Sequence, residues 1–123
     1  MLKAIAATAA CSLALAAGSA FAAGGGVLPP GWTHAEINYS VNHVPHTLIL
    51  DRGRVIAVSA TSLTLREQDG STVQIAFSST TQVTVNGQPG QLSNIRRRAT
   101  ATTQRIDGGP ATLIRLQIPR SLR

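Results

Sequence analysis

Beyond residue 33, apolar and polar residues alternate in short runs, which is the pattern of β-strands that are buried on one face. The clearest run is residues 34–41, where every second residue is apolar or aromatic. Shorter runs follow at 47–50, 54–60 and 62–66, and Pro45 predicts a break before the first of them, because proline donates no hydrogen bond to a sheet. No stretch of useful length has helical periodicity, so the pattern predicts an all-β domain.

Three Asp-Gly or Asn-Gly pairs, which are typical of tight hairpin loops, punctuate the second half of the chain. They start at Asp69, Asn86 and Asp107. The runs between and after them are residues 72–77, 83–85, 97–105 and 111–118, with a compact loop at 89–95. Consecutive short strands joined by such turns predict a meander in a barrel or sandwich, and closure would remove the exposed edges of the sheet. We therefore expect a small, closed or partly open barrel of antiparallel strands.

Several of these positions resemble a small secreted bacterial β-barrel domain of unknown function. The shared motifs are G-x-V-x-x-V from Gly53, S-L-T-L-R from Ser62, the turn at Asp69, V-x-I from Val73, T-x-V with N-G from Thr81, L-x-x-I from Leu92 and D-G-G-P-A from Asp107. The resemblance covers residues 53–118 and implies an OB-like barrel of five or six strands in an exported protein. It implies no catalytic residue. Where the family often has Gly or Asp after the Leu-x-x-Leu loop, this chain has three arginines.

The N-terminal segment has the features of a cleavable signal peptide. Lys3 precedes an uncharged, alanine-rich stretch at residues 4–18, and Ala20-x-Ala22 is the small-residue pattern that signal peptidases accept. We expect cleavage after Ala22, a flexible lead-in at 23–33, a single β-domain at 34–123 and no transmembrane helix in the mature chain. The predicted location is extracytoplasmic: secreted, or in the periplasm or cell envelope.

Composition argues against most catalytic classes. The 123 residues carry a net charge of +6 but only five Asp and Glu residues, and 3% are aromatic. The one cysteine, Cys11, lies in the predicted leader, which excludes a disulfide framework and a thiolate zinc cage in the mature chain. The nucleophile pattern Gly-x-Ser-x-Gly is also missing. We expect a protein that is not an enzyme and that needs no cofactor.

Positive charge is concentrated toward the end of the chain and gives the first candidate site. A basic surface on an exported protein attracts anionic polymers or lipid headgroups, although it also serves solubility alone. Specific binding of nucleic acid is not expected, because that mode needs exposed aromatic stacking platforms and the domain has few aromatic residues. The candidate residues for an anion or partner surface are Arg96, Arg97, Arg98, Arg105 and Arg115.

The three histidines give the second candidate site. His43 and His46 are three residues apart, but Pro45 opposes a helix, and on a strand this spacing points the two side chains to opposite faces. A metal site would therefore need a third ligand, His34 or Glu36, to be brought close by the fold. Incidental histidines on an exposed loop are the simpler interpretation.

The leading hypothesis is a non-catalytic exported module that binds an anionic envelope polymer or another exported protein weakly. The alternative is a histidine-based metal-binding protein, and a third possibility is self-association through strand edges.

Overall fold

A computed structural model describes residues 28–122. The chain divides into two compact units, residues 1–32 and 33–123. Within the first unit the description is limited to residues 28–32, where the Trp32 amide donates to the Pro29 carbonyl across a turn at 3.2 Å. The predicted signal peptide, with its cleavage after Ala22, lies outside the described residues.

The second unit is built from strands. The strands are β1 (His34–Val41), β2 (Val44–Val58), β3 (Ser62–Arg66), β4 (Thr72–Ala76), β5 (Gln82–Val85), β6 (Gln88–Gly90), β7 (Thr100–Ile106) and β8 (Ala111–Gln117). Two single turns of 3-10 helix, Leu92–Asn94 and Arg120–Leu122, complete the secondary structure, and residues 28–122 contain no α-helix. The prediction of an all-β domain is confirmed.

β1 and β2 form a hairpin that the sequence pattern did not predict. Asn42 and His43 have φ values of 51° and 67°, and two consecutive left-handed residues are the geometry of a two-residue hairpin turn. The predicted break at Pro45 is wrong, since β2 runs through it. Pro45 lies opposite Ser40, one pair beyond the pair that closes the turn, so its nitrogen points away from β1. β7 pairs with β2 only from Leu48 onward, and the missing N–H therefore costs no sheet hydrogen bond.

β2 organises the sheet because its two halves have different partners. Its first half pairs with β1, its second half pairs with β3, and residues 48–54 pair with β7 along the opposite edge. The resulting order is β4-β3-β2-β7-β8-β5-β6, with β1 beside β2. The sheet has eight strands, so the predicted number of five or six is wrong.

Each of the three predicted turns joins an antiparallel pair, β3–β4, β5–β6 and β7–β8, but the meander prediction fails between β4 and β5. The strand that follows β4 does not pair with it. Instead, β5 pairs in parallel with β8. The strand path is open, because β4 and β6 at its two ends do not pair within residues 28–122.

Chain connectivity nevertheless requires this sheet to curl. Five steps of about 4.8 Å separate β4 from β5 along the path, so a flat sheet would place them about 24 Å apart. Only residues 77–81 join them, and the six Cα–Cα steps from Ala76 to Gln82 span about 22 Å at most. That segment also contains a turn in which the Thr81 amide donates to the Ser78 carbonyl at 3.0 Å. The two ends of the sheet are therefore drawn toward each other.

The curled sheet encloses one hydrophobic core. Buried residues of six strands, β2, β3, β4, β5, β7 and β8, supply it. Its fully buried members are Val55, Leu63, Leu65, Ile75, Ala99, Ala101, Ile114 and Leu116. We call the side of the sheet that bears them the inner face and the opposite side the outer face.

Candidate functional site

The five arginines predicted as an anion surface do not come together. Arg96, Arg97 and Arg98 are exposed in the loop before β7, where Arg96 donates from Nη1 to the Leu122 carbonyl at 2.6 Å. Arg105 contacts the Asp51 carboxylate, while Arg115 lies near the middle of β8. These residues therefore belong to three different places on the domain.

Strand register places a different set of arginines together. Paired residues in a sheet project to the same face, and successive residues of a strand alternate. Val55 and Leu65 form a pair on the inner face, so the neighbouring pair of Arg54 and Arg66 projects from the outer face. Arg52, two residues before Arg54, projects the same way.

β7 and β8 extend this set across the sheet. Arg52 is opposite Thr102, and Thr102 is in turn opposite Arg115. Thr84 of β5 pairs with Arg115 on the far side. We call the set of Arg52, Arg54, Arg66 and Arg115 the arginine face. Among the predicted candidates, Arg115 alone belongs to it.

The electrostatics of the arginine face are one-sided. Arg54 and Arg66 are exposed and directly opposite each other, and like charges in that position destabilise a sheet. None of the five acids of the chain projects from this part of the outer face. Glu36, Asp51 and Glu67 belong to the inner face, and the other two acids lie in turns. The face therefore has the charge distribution of a surface that attracts anions.

A second cluster lies on the inner face, beside the part of β2 where its pairing partner along one edge changes from β1 to β3. His34 begins β1 directly opposite Asp51, and Glu67 immediately follows β3. Gly53 allows this approach, because a Cβ atom there would lie 2.4 Å from the Arg66 carbonyl oxygen. We call His34, Asp51 and Glu67 the His34 cluster.

Short polar contacts hold the His34 cluster. His34 Nδ1 lies 2.7 Å from Asp51 Oδ1, and His34 Nε2 lies 2.9 Å from Glu36 Oε2. Arg105 donates from Nη2 to Asp51 Oδ2 at 3.3 Å. Ser71 donates its hydroxyl to Glu67 Oε1 at 3.3 Å. Asp51 is 1% exposed and Glu67 is 8% exposed, so the two carboxyl groups are almost entirely removed from solvent.

Burial and mutual contact shift the protonation of this cluster. Desolvation is the main cause that raises the pKa of Glu67, and the adjacent Asp51 raises it further. The pKa of His34 is raised chiefly by its hydrogen bond to Asp51 and then by that to Glu36. The cluster thus disfavours two negative carboxylates side by side and favours positive charge on the imidazole.

The other two histidines lie elsewhere. His43 is at the tip of the β1–β2 turn. His46 lies opposite Tyr39, with its Nδ1 2.6 Å from Asp107 Oδ2. Asp107 also accepts from the Thr47 amide at 2.8 Å. His46 is five residues along β2 from Asp51, about 16 Å at the usual rise per residue, so the three histidines do not share one site.

Sequence reasoning missed the arginine face and the two acids of the His34 cluster. An available signal was the alternation in Arg52-x-Arg54, which places two arginines on one face of any strand. Their juxtaposition with Arg66 and Arg115 depends on strand register, which the sequence pattern does not supply. Asp51 lies in the middle of β2 and Glu67 directly after β3, and the alternating pattern does not show that both acids are buried.

Comparison with protein-family models, with curated proteins and with solved structures found no match for this chain. Within residues 28–122, no helix has the length and apolar character that crossing a membrane requires.

Proposed function

We propose that this domain is a non-catalytic module that binds a linear anionic polymer on the arginine face. The observation that supports this most is the direct pairing of Arg54 with Arg66 on a surface without acids. Such a pair costs stability in isolation, and an anion that bridges the two guanidinium groups offsets that cost.

The spacing of the arginines favours a polymer over a single small anion. Arg52 and Arg54 are about 7 Å apart along β2, and Arg66 is about 5 Å from Arg54 on the neighbouring strand. Arg115 lies two strands from Arg52, about 10 Å away. Repeated charges along a chain can engage several of these groups at once, whereas one phosphate can reach only two.

The chemistry of arginine suits phosphate or carboxylate groups. A guanidinium presents planar, paired N–H donors that match such oxygens, and it stays charged at any physiological pH. Thr84 and Thr102, which pair with Arg115, add hydroxyl groups on the same face. The arginine face has no aromatic platform among its paired residues, which supports an envelope polymer rather than a single-stranded nucleic acid.

The predicted location and architecture complete this proposal. A leader that ends at Ala22 would deliver the protein to the cell envelope, where anionic polymers are accessible. The sheet would form a partly open, OB-like barrel, as the resemblance implies. The short connection from β4 to β5 and the single core support that geometry.

A titration of the full chain into fluorescently labelled linear polyphosphate tests the proposal, with neutral dextran as the control polymer. We expect saturable binding of polyphosphate at low salt that weakens as salt rises, and no binding of dextran. Equal binding of both polymers, or no binding of polyphosphate at the lowest salt, would contradict the proposal.

A further inference from the structure

We infer that the His34 cluster is a binding site for a divalent transition-metal ion of the zinc type, separate from the arginine face. One imidazole nitrogen and one oxygen from each carboxyl group lie within 4.8 Å of one another. Ligands that bind zinc at 2.0–2.2 Å are about 3–4 Å apart. A donor pair at the 4.8 Å limit would therefore close by roughly 1 Å, whereas His34 Nδ1 and Asp51 Oδ1, which are 2.7 Å apart, would separate slightly.

The backbone around this cluster fixes all three donors. His34 is paired with Asp51, and the Arg52 amide donates to the Thr33 carbonyl at 2.8 Å, which anchors the start of β1. The Glu67 amide donates to the Ser71 carbonyl at 2.8 Å, and the Glu67 carbonyl accepts from the Gly70 amide at 2.9 Å. Glu67 is therefore held in a closed turn, at the place where Gly53 lets the chain pass close to β2.

His34 is already oriented for coordination through Nδ1. That nitrogen faces the Asp51 carboxylate, while Nε2 lies 2.9 Å from Glu36. A carboxylate that accepts from the non-coordinating nitrogen is the usual arrangement around metal-bound histidines, because it fixes the ring and its tautomer. Glu36 would supply that contact.

The two buried carboxyl groups also differ in their cationic contacts. Asp51 and Glu67 are both buried, and Arg105 contacts only Asp51 through one guanidinium nitrogen. The Arg105 Nε atom is buried without a hydrogen-bond partner, so this arginine fits the cluster imperfectly. Within residues 28–122, Glu67 has no ion pair with a cationic side chain. A divalent ion between the two carboxyl groups would give Glu67 a cationic partner and would take the place of the proton between His34 Nδ1 and Asp51.

The donor set selects the class of metal. An imidazole with two carboxylates suits zinc and similar transition ions, whereas calcium takes six to eight oxygen ligands and magnesium retains most of its waters. Three protein ligands leave at least one coordination position for water or for a group of another molecule.

Isothermal titration of the full chain with zinc chloride tests the inference. The chain offers a matched control, since His46 and Asp107 form a similar histidine–carboxylate pair, with no third donor beside them among residues 28–122. We expect one zinc per chain in the wild type, at least tenfold weaker binding in Glu67→Gln, and unchanged binding in Asp107→Asn. Calcium and magnesium should give no saturable heat at the same concentrations.

Two results would overturn the inference: no saturable zinc binding by the wild type, or equal affinity in the wild type and Glu67→Gln. Circular dichroism identifies a variant that fails to fold. If Glu67→Gln does not fold, zinc binding is measured with His34→Ala instead. The His34 side chain is 42% exposed, so its removal leaves the core intact. Retained zinc affinity in folded His34→Ala would then refute the site.

Discussion

Removing the facing pair of arginines should lower the salt dependence of polyanion binding by a predictable amount. The informative variant is Arg54→Gln with Arg66→Gln, which keeps two long polar side chains on the outer face but removes both charges. Arg52 and Arg115 remain on the arginine face.

The magnitude follows from the number of arginines on the arginine face. Each phosphate neutralised on a single strand contributes about 0.7 to the slope of log K against log salt concentration. Four contacts give a slope of about −2.8, so affinity should fall about 50-fold between about 50 and about 200 mM salt. With two contacts the slope is about −1.4, and the fall is about 7-fold.

Fluorescence anisotropy with labelled polyphosphate at four or five salt concentrations measures both slopes. The control is Arg96→Gln with Arg97→Gln, which removes the same charge from the exposed loop before β7. Its slope should match that of the wild type. Equal losses in the two double variants would show that net charge alone attracts the polymer and would refute the assignment to the arginine face.

Three further predictions concern the fold and the second histidine–carboxylate pair. Gly53→Ala should lower the free energy of unfolding by about 1–3 kcal/mol in urea denaturation, because its Cβ would meet the Arg66 carbonyl oxygen at 2.4 Å. Leu116→Ala should cost about 2–5 kcal/mol in the same assay, because Leu116 is fully buried in the core; a loss below 1 kcal/mol would show that the core is loosely packed. Hydrogen bonds from His46 and the Thr47 amide hold the pKa of Asp107 below its ordinary value, so its contribution to stability is present above pH 3.8 and is lost as pH falls through the lowered pKa. In carboxyl NMR titrations His46→Gln should raise the pKa of Asp107, and an unchanged pKa would contradict the contact.

Local features of the fold could be predicted from the sequence because they depend on neighbouring residues. The bounds of β1 and β3 follow from alternation. The turn at Asn86 follows because a two-residue hairpin turn requires left-handed residues, and Asn86 has a φ of 51°. Pro45 misled the prediction because the cost of a proline depends on which edge of the strand is paired. At that point β2 has one neighbour, which the sequence pattern does not reveal.

Long-range features could not be predicted, because they depend on which strands become neighbours. The parallel pairing of β5 with β8 joins residues about 30 positions apart in the chain, and no turn motif in the sequence predicts it. The same limit applies to the functional surfaces. Arg54, Arg66 and Arg115 lie on three strands, and only their register reveals a common face.

Binding of an anionic polymer to the arginine face is tested most directly by amide chemical-shift mapping during a polyphosphate titration. We expect the largest shifts at Arg52, Arg54, Arg66, Thr102 and Arg115, whose amides lie on four strands but whose side chains share one surface. Largest shifts confined to the loop at residues 96–98, with the arginine face unmoved, would contradict it.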